Sequence, residues 1–187
     1  MIKLFNKWDT TEIKVLDPGL IGYINLDPRI LPRSCGKNAS NQFWKSKYHI
    51  VERLINKLMG PGHKGKKHKL TSGHCAGKWT TCAMIVERTL GIIEEKTKLN
   101  PIAVFVKAIE NASPREEITT IEYGGARYPK AVEMSPQRRI DYVLRLMTQG
   151  AYAKSFGNKI SIEQTLATEI IKCYENDNTS NALSKKL

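Results

Sequence analysis

Most side chains in this 187-residue chain that could ligate zinc or act as a soft nucleophile fall in one stretch: His63, His68, His74, Cys75 and Cys82. Zinc needs four converging ligands, and structural sites build each half from a pair two to four residues apart. No C-x-x-C occurs here, and His74 and Cys75 are adjacent, which makes chelation by both awkward. No metal site is expected, and Cys82 and Cys173 are read as small buried apolar groups. Acid–base work by paired carboxylates fares no better. Glu94-Glu95 and Glu116-Glu117 are neighbours, so on a helix their side chains diverge by about 100°. Gly124-Gly125 is far from the G-x-x-x-x-G-K-[ST] loop that cradles phosphates. The chain is not read as an enzyme, and no cofactor or small-molecule substrate is expected.

Cations and aromatics recur at more useful spacings. The segment HKGKKHKLTSGHCAGK places Lys64, Lys66, Lys67 and Lys69 in a loop with almost nothing to bury, and Lys78 opens the next helix. Each could neutralise a phosphate and release a counterion. Lys45, Lys47, Arg53 and Lys57 lie on or just before the preceding helix. Arg138 and Arg145, seven apart, share one side of a later helix, with Arg139 at the edge of its polar face. Arginines near a helix N-terminus gain little from the dipole and suit an anion, which guanidinium forks bind bidentately. Pairing with Asp141 or Glu133 is the competing use. Between these clusters lies YGGARYPKAVEMSPQRR, residues 123–139, with Lys130 among its polar residues, whose Tyr123 and Tyr128 could stack on unpaired bases while Arg127 contacts backbone or base edges. Cross-strand aromatic packing is the competing use for the tyrosines.

Five helices and a hairpin must hold these groups. Ile50, Val51, Leu54, Ile55 and Leu58 form one helical stripe, with His49, Arg53 and Asn56 expected opposite and Gly60-Pro61-Gly62 as the stop. A second helix over about 78–97 turns Ala83, Val86, Leu90 and Ile93 inward. Asn100 as N-cap and Pro101 at the first position start a third, with Ile102, Phe105, Val106 and Ile109 as its stripe. A hairpin at about 117–134 pairs Ile118–Ile121 with Ala131-Val132 through Gly124-Gly125. Ser135-Pro136 opens helix four, with Ile140, Val143, Leu144 and Met147 inward. Ser161 with Gln164 reads as the capping box of helix five, whose stripe is Leu166, Ala167, Ile170, Ile171 and Tyr174. Residues 176–181 read as linker. The first 42 residues are broken by Pro18, Gly19, Gly22, Pro28, Pro32 and Gly36 and form an irregular arm, expected to lie against the chain's own body. The fold class is mainly α: about five to six helices with one protruding β-hairpin, in a domain spanning 43–187.

Thirty Lys and Arg oppose eighteen Asp and Glu, a formal net charge of +12. The charge is segregated. From Arg33 to Lys78 eleven cations are opposed only by Glu52, whereas a merely solvated surface intersperses both signs. That footprint implies a nucleic-acid partner. No apolar signal-peptide core and no long apolar run occurs, so a cytoplasmic, membrane-free setting is expected.

IVERLINKLM (50–59), NPIAVFVKAIENASPRE (100–116) and YGGARYPKAVEMSPQRR (123–139) closely resemble the universal small-subunit ribosomal protein S-seven family. IKLFNKWDTTEIKV and GYINLDPRILPR resemble its archaeal and eukaryotic branch. The resemblance covers nearly the whole chain. It implies direct binding to the 3′ major domain of small-subunit rRNA, nucleation of head assembly, and contact with neighbouring head proteins. It implies that Lys45, Lys47, Arg53, Lys57, the loop lysines and Arg138-Arg139 face rRNA. The stretch Tyr123, Gly124, Gly125, Arg127, Tyr128 and Lys130 would face exit-site tRNA and mRNA. The Cys/His-bearing loop at 63–82 departs from the family pattern. Reversing the charge of Arg138 and Arg139 together is expected nearly to abolish rRNA binding with helicity intact. Two other classes compete: a free-standing helical DNA-binding regulator and a zinc-stabilised interaction module. The first would need a recognition helix isolated by a tight turn, the second stoichiometric zinc.

Overall fold

A computed structural model describes residues 2–60 and 73–186. The loop lysines Lys64, Lys66, Lys67 and Lys69, with His63 and His68, lie outside the described residues. Within them the chain forms α1 (Ile50–Leu58), α2 (Trp79–Thr97), α3 (Pro101–Ala112), β1 (Glu116–Tyr123), β2 (Ala126–Glu133), α4 (Pro136–Ser155) and α5 (Ile162–Tyr174). Helix α5 packs against α2, α3 and α4, and α1 packs against α2 and α4. The apolar stripes explain this. Ala83, Val86, Leu90 and Ile93 of α2, Ile102, Phe105, Val106 and Ile109 of α3, and Ile140, Val143, Leu144 and Met147 of α4 are all buried in one cluster.

Local chemistry fixes the element boundaries. Asn100 Oδ1 accepts the Ile102 N–H at 3.1 Å, with Pro101 at the first helical position. Ser161 Oγ accepts the Gln164 N–H at 3.4 Å. Ser135 sits at the N-cap of α4 but makes no side-chain cap bond, so Pro136 and the extended cap backbone start that helix. The hairpin turns on Gly124 and Gly125, whose φ angles of +58° and +80° suit a two-residue loop. The resulting register pairs Ile118 with Ala131 and Tyr123 with Ala126.

Two readings fail at the ends of the bundle. Residues 176–181 are no linker. Asn181 donates from Nδ2 to the Leu146 carbonyl at 2.7 Å and from its backbone to Glu169 at 3.1 Å, and Ser180, Ala182 and Leu183 are buried. The face of α1 opposite its stripe is only partly solvated: Asn56 is exposed, but His49 and Arg53 are buried, as is Glu52 beside them. The N-terminal residues supply the cover. Leu4, Trp8, Leu20 and Ile24 join the common core, Trp8 Nε1 donates to Glu94 at 2.9 Å, and Ser34 donates twice to Glu52.

Candidate nucleic-acid interface

Three segments converge on one cation-rich surface. Helix α1 brings Lys57, with Arg53 buried beneath it, helix α4 brings Arg138, Asp141, Tyr142 and Arg145, and the chain before α1 brings Gln42, Phe43 and Lys45. On α4, positions 138, 142 and 145 are separated by four and three residues, so the helix sets them on one face. That face is opposite the buried stripe, and Arg138 and Arg145 are exposed on it as expected. Two clefts share the surface, of about 320 Å³ and 390 Å³, with Gln42, Lys57 and Asp141 lining both.

Asp141 organises the cluster. Its Oδ1 accepts from Arg53 Nη2 at 3.2 Å and its Oδ2 accepts from Lys45 Nζ. Burial alone would raise its carboxyl, but the Lys45 hydrogen bond and the charges of Arg53, Lys45 and Lys57 hold it below the usual range. One carboxylate therefore serves three cations. Lys57 has the worst position: burial lowers its ammonium, Asp141 opposes this, and Lys45, Arg145 and Arg53 push it further down. Arg145 lies 5.2 Å from the Tyr142 ring centroid, a cation–π contact that holds its fork beside the cleft. Arg138 donates to Glu117 at 2.7 Å, tying α4 to the root of the hairpin while its side chain stays 58% exposed.

Two arginines assigned to an RNA face are not on it. Arg53 is 2% exposed and donates to the Tyr23 carbonyl at 3.1 Å as well as to Asp141. Arg139 is 7% exposed. Its guanidinium donates to the Pro114 carbonyl, Ser113 Oγ and Asp17 Oδ2 at 2.9, 3.0 and 2.6 Å. Both charges are neutralised internally, and Asp17 is accordingly held low despite its burial. The combined reversal of Arg138 and Arg139 would therefore break a buried ion pair, and it cannot leave the fold untouched. Lys47 lines a different cleft and sits over Trp44 at 3.9 Å. Lys78 is exposed at the start of α2 and lines neither shared cleft.

The hairpin separates Arg127 from its tyrosines. Strand alternation puts Thr119, Lys130, Ile121, Tyr128 and Tyr123 on one face and Glu122, Arg127 and Ile118 on the other. Arg127 and the tyrosines thus point apart, and Arg127 pairs with Glu122 at 3.4 Å. Glu116, Glu117, Glu122 and Glu133 outnumber Arg127 and Lys130, with three of the four acids near the root. The surface it offers is aromatic and apolar: Tyr123 is 82% and Ile118 80% exposed.

The metal reading gains nothing within the described residues, which contain no group of three or more His, Cys, Asp or Glu able to hold an ion. Cys82 is buried, its thiol pushed up to about 12 by burial and by Cys75 beside it, and Cys173 is buried next to Ser180. Phe43, Gln137 and Tyr142 were not singled out from the sequence. A lone aromatic before a helix and a glutamine within one carry no spacing signal.

Comparison with known proteins gives a consistent result. The family model for ribosomal protein S7p/S5e matches residues 22–187. The small ribosomal subunit protein uS7 of Nanoarchaeum equitans is 55% identical over 186 residues, covering 100% of this chain and 94% of the relative. The uS7 proteins of Methanosphaera stadtmanae and Methanothermobacter thermautotrophicus are 47% and 46% identical, covering 98% and 100% of this chain and 92% and 94% of theirs.

Proposed function

This chain belongs to the S7p/S5e family of ribosomal proteins in its archaeal and eukaryotic type, and we propose that it clamps the 3′ major domain of small-subunit rRNA. The role is structural and non-catalytic. The observation that carries the reading is the surplus of positive charge around Lys57. Lys45, Lys57, Arg138 and Arg145 gather on one rigid face where Asp141 and Glu117 are the acids at hand, and Arg53 already draws on Asp141. Phosphates supply the missing anions, and the counterions they release drive binding.

Packed helices α1 and α4 carry most of this face, which suits recognition of a folded RNA by shape. By doing so it would nucleate assembly of the subunit head in the cytoplasm. The hairpin is exposed almost from root to tip and extends about 26 Å at ~3.3 Å per residue over eight residues. Its tyrosine face would lie along exit-site tRNA and mRNA. Phe156 and Ile160, exposed after α4, offer apolar contact to neighbouring head proteins. Membership of a ribosomal family sets aside the free-standing DNA regulator.

The test is binding to a transcript of the rRNA 3′ major domain with duplex DNA of equal length as competitor. Retention of the folded RNA in excess duplex is expected. Equal displacement by duplex DNA would reduce the surface to a general polyanion binder and overturn the reading.

A further inference from the structure

We propose that the cleft of about 320 Å³ between Phe43 and helix α4 holds one unpaired nucleotide, its base on Phe43 and its phosphate among Lys57, Arg138 and Arg145. The inference rests on the RNA-binding reading above and names what enters this site.

Size comes first. The volume lies at the lower end of ligand-sized pockets, ~300 Å³ upward, enough for one nucleotide and too little for a duplex. The lining is also assorted as a nucleotide requires. Lys57, Arg138 and Arg145 stand for the phosphate, Gln137 for a base edge, and Phe43 for a base face, with Tyr142 beside it on the wall.

Phe43 is 70% exposed, so its ring contributes nothing to the core. Its backbone is nonetheless anchored: the Phe43 carbonyl accepts from Ser46 Oγ at 3.0 Å and from the Ser46 N–H at 3.3 Å. Arg145 already occupies the Tyr142 ring, which leaves Phe43 as the open stacking surface. Gln137 Oε1 is buried and has no hydrogen-bond partner among the described residues. Leaving a buried acceptor unpaired costs stability, and an exocyclic amine or ring N–H of a base would satisfy it. Lys57 completes the match. It is half-buried among like charges, and a phosphate beside it would offset both the burial and the repulsion. Bases stacked within a helix expose no face to Phe43, so the occupant is an unpaired or bulged one.

Four proteins test this against the 3′ major domain transcript: wild type, Phe43→Ala, Phe43→Trp and Arg145→Ala. Affinity is measured across a salt series, and 254 nm crosslinks are mapped by mass spectrometry. Phe43→Ala is expected to weaken binding about ten-fold or more, at an unchanged salt slope, because stacking rather than charge is lost. Phe43→Trp should retain affinity, and a nucleotide adduct should map to Phe43 or Tyr142. Wild-type affinity in Phe43→Ala with no adduct at either residue, while Arg145→Ala still weakens binding, overturns the pocket and leaves the rRNA face standing. Failure of wild-type protein to prefer the transcript overturns both.

Discussion

Arg138 and Arg139 are sequence neighbours with opposite fates, and the difference is a matter of 100° around a helix. Arg138 points to solvent. Arg139 points under the N-terminal segment, where Asp17 and two oxygen acceptors from the α3–β1 connection receive it. Replacing Arg139 by Ala strands the Asp17 carboxylate, and urea unfolding should show a loss of about 3–5 kcal/mol. The same change at Arg138, whose partner Glu117 is near the surface, should cost less than about 1 kcal/mol. His49 gives a second signature. It caps α1 by accepting the Val51 N–H at 3.2 Å, and burial, aided by Arg29, pushes it down to about 4 from 6.5. Between those values the unfolded chain holds a proton that the folded chain lacks. Stability is therefore complete above pH 6.5 and declines as pH falls toward 4, by on the order of 3 kcal/mol. His49→Asn keeps a cap acceptor and should flatten that stretch of the stability–pH curve. Asp17 and Asp141, both held low, lose their contribution only at still lower pH, so the acid limb below it should persist.

Helices α2 to α5 were legible because each carries an apolar stripe of the right period and most have a start signal with a mechanism. The hairpin was legible because Gly-Gly between β-formers admits few other structures. Helix α1 was half legible. Its stripe is plain, but the burial of Glu52 and Arg53 depends on Ser34, Tyr23 and Asp141, eighteen, thirty and eighty-eight residues from their partners. No local pattern encodes partners so distant. The tail after α5 misled for a similar reason: polar residues that look like linker are anchored by Glu169 and by the Leu146 carbonyl. Gly150 lies beneath this tail. A Cβ there would sit 2.8 Å from Asn181 Cβ and 3.1 Å from Glu169 Cδ. Gly150→Ala should therefore destabilise by about 1–3 kcal/mol, although alanine is the better helix former by ~1 kcal/mol. Calorimetry would show the lowered Tm, and limited proteolysis would show earlier cleavage near Asn181. The hairpin should behave oppositely. Replacing residues 118–131 by a short turn removes little that is buried, so the unfolding midpoint should barely move.

On the scale of the whole molecule, a net charge of +12 announced a polyanion but not where it sits. The fold decides that by spending some cations internally and leaving others free. Arg53 and Arg139 hold α1 and the N-terminal segment against α4, and this frame sets Lys45, Lys57, Arg138 and Arg145 around two adjoining clefts that share Lys57. Sequence spacing identified the α4 pair, since seven residues return to the same side of a helix. It missed Phe43 and Gln137, which become part of the site only when the chain before α1 folds beside α4. The central claim is that phosphates meet this face, and salt dependence tests it most directly. The slope of log K against log salt for the rRNA 3′ major domain should be measured for wild type and for Arg138→Ala/Arg145→Ala. Two lost phosphate contacts predict a slope shallower by about 1.4–1.8, at ~0.7–0.9 per contact, with an unchanged circular dichroism spectrum. An identical slope and affinity in the two proteins would contradict the account.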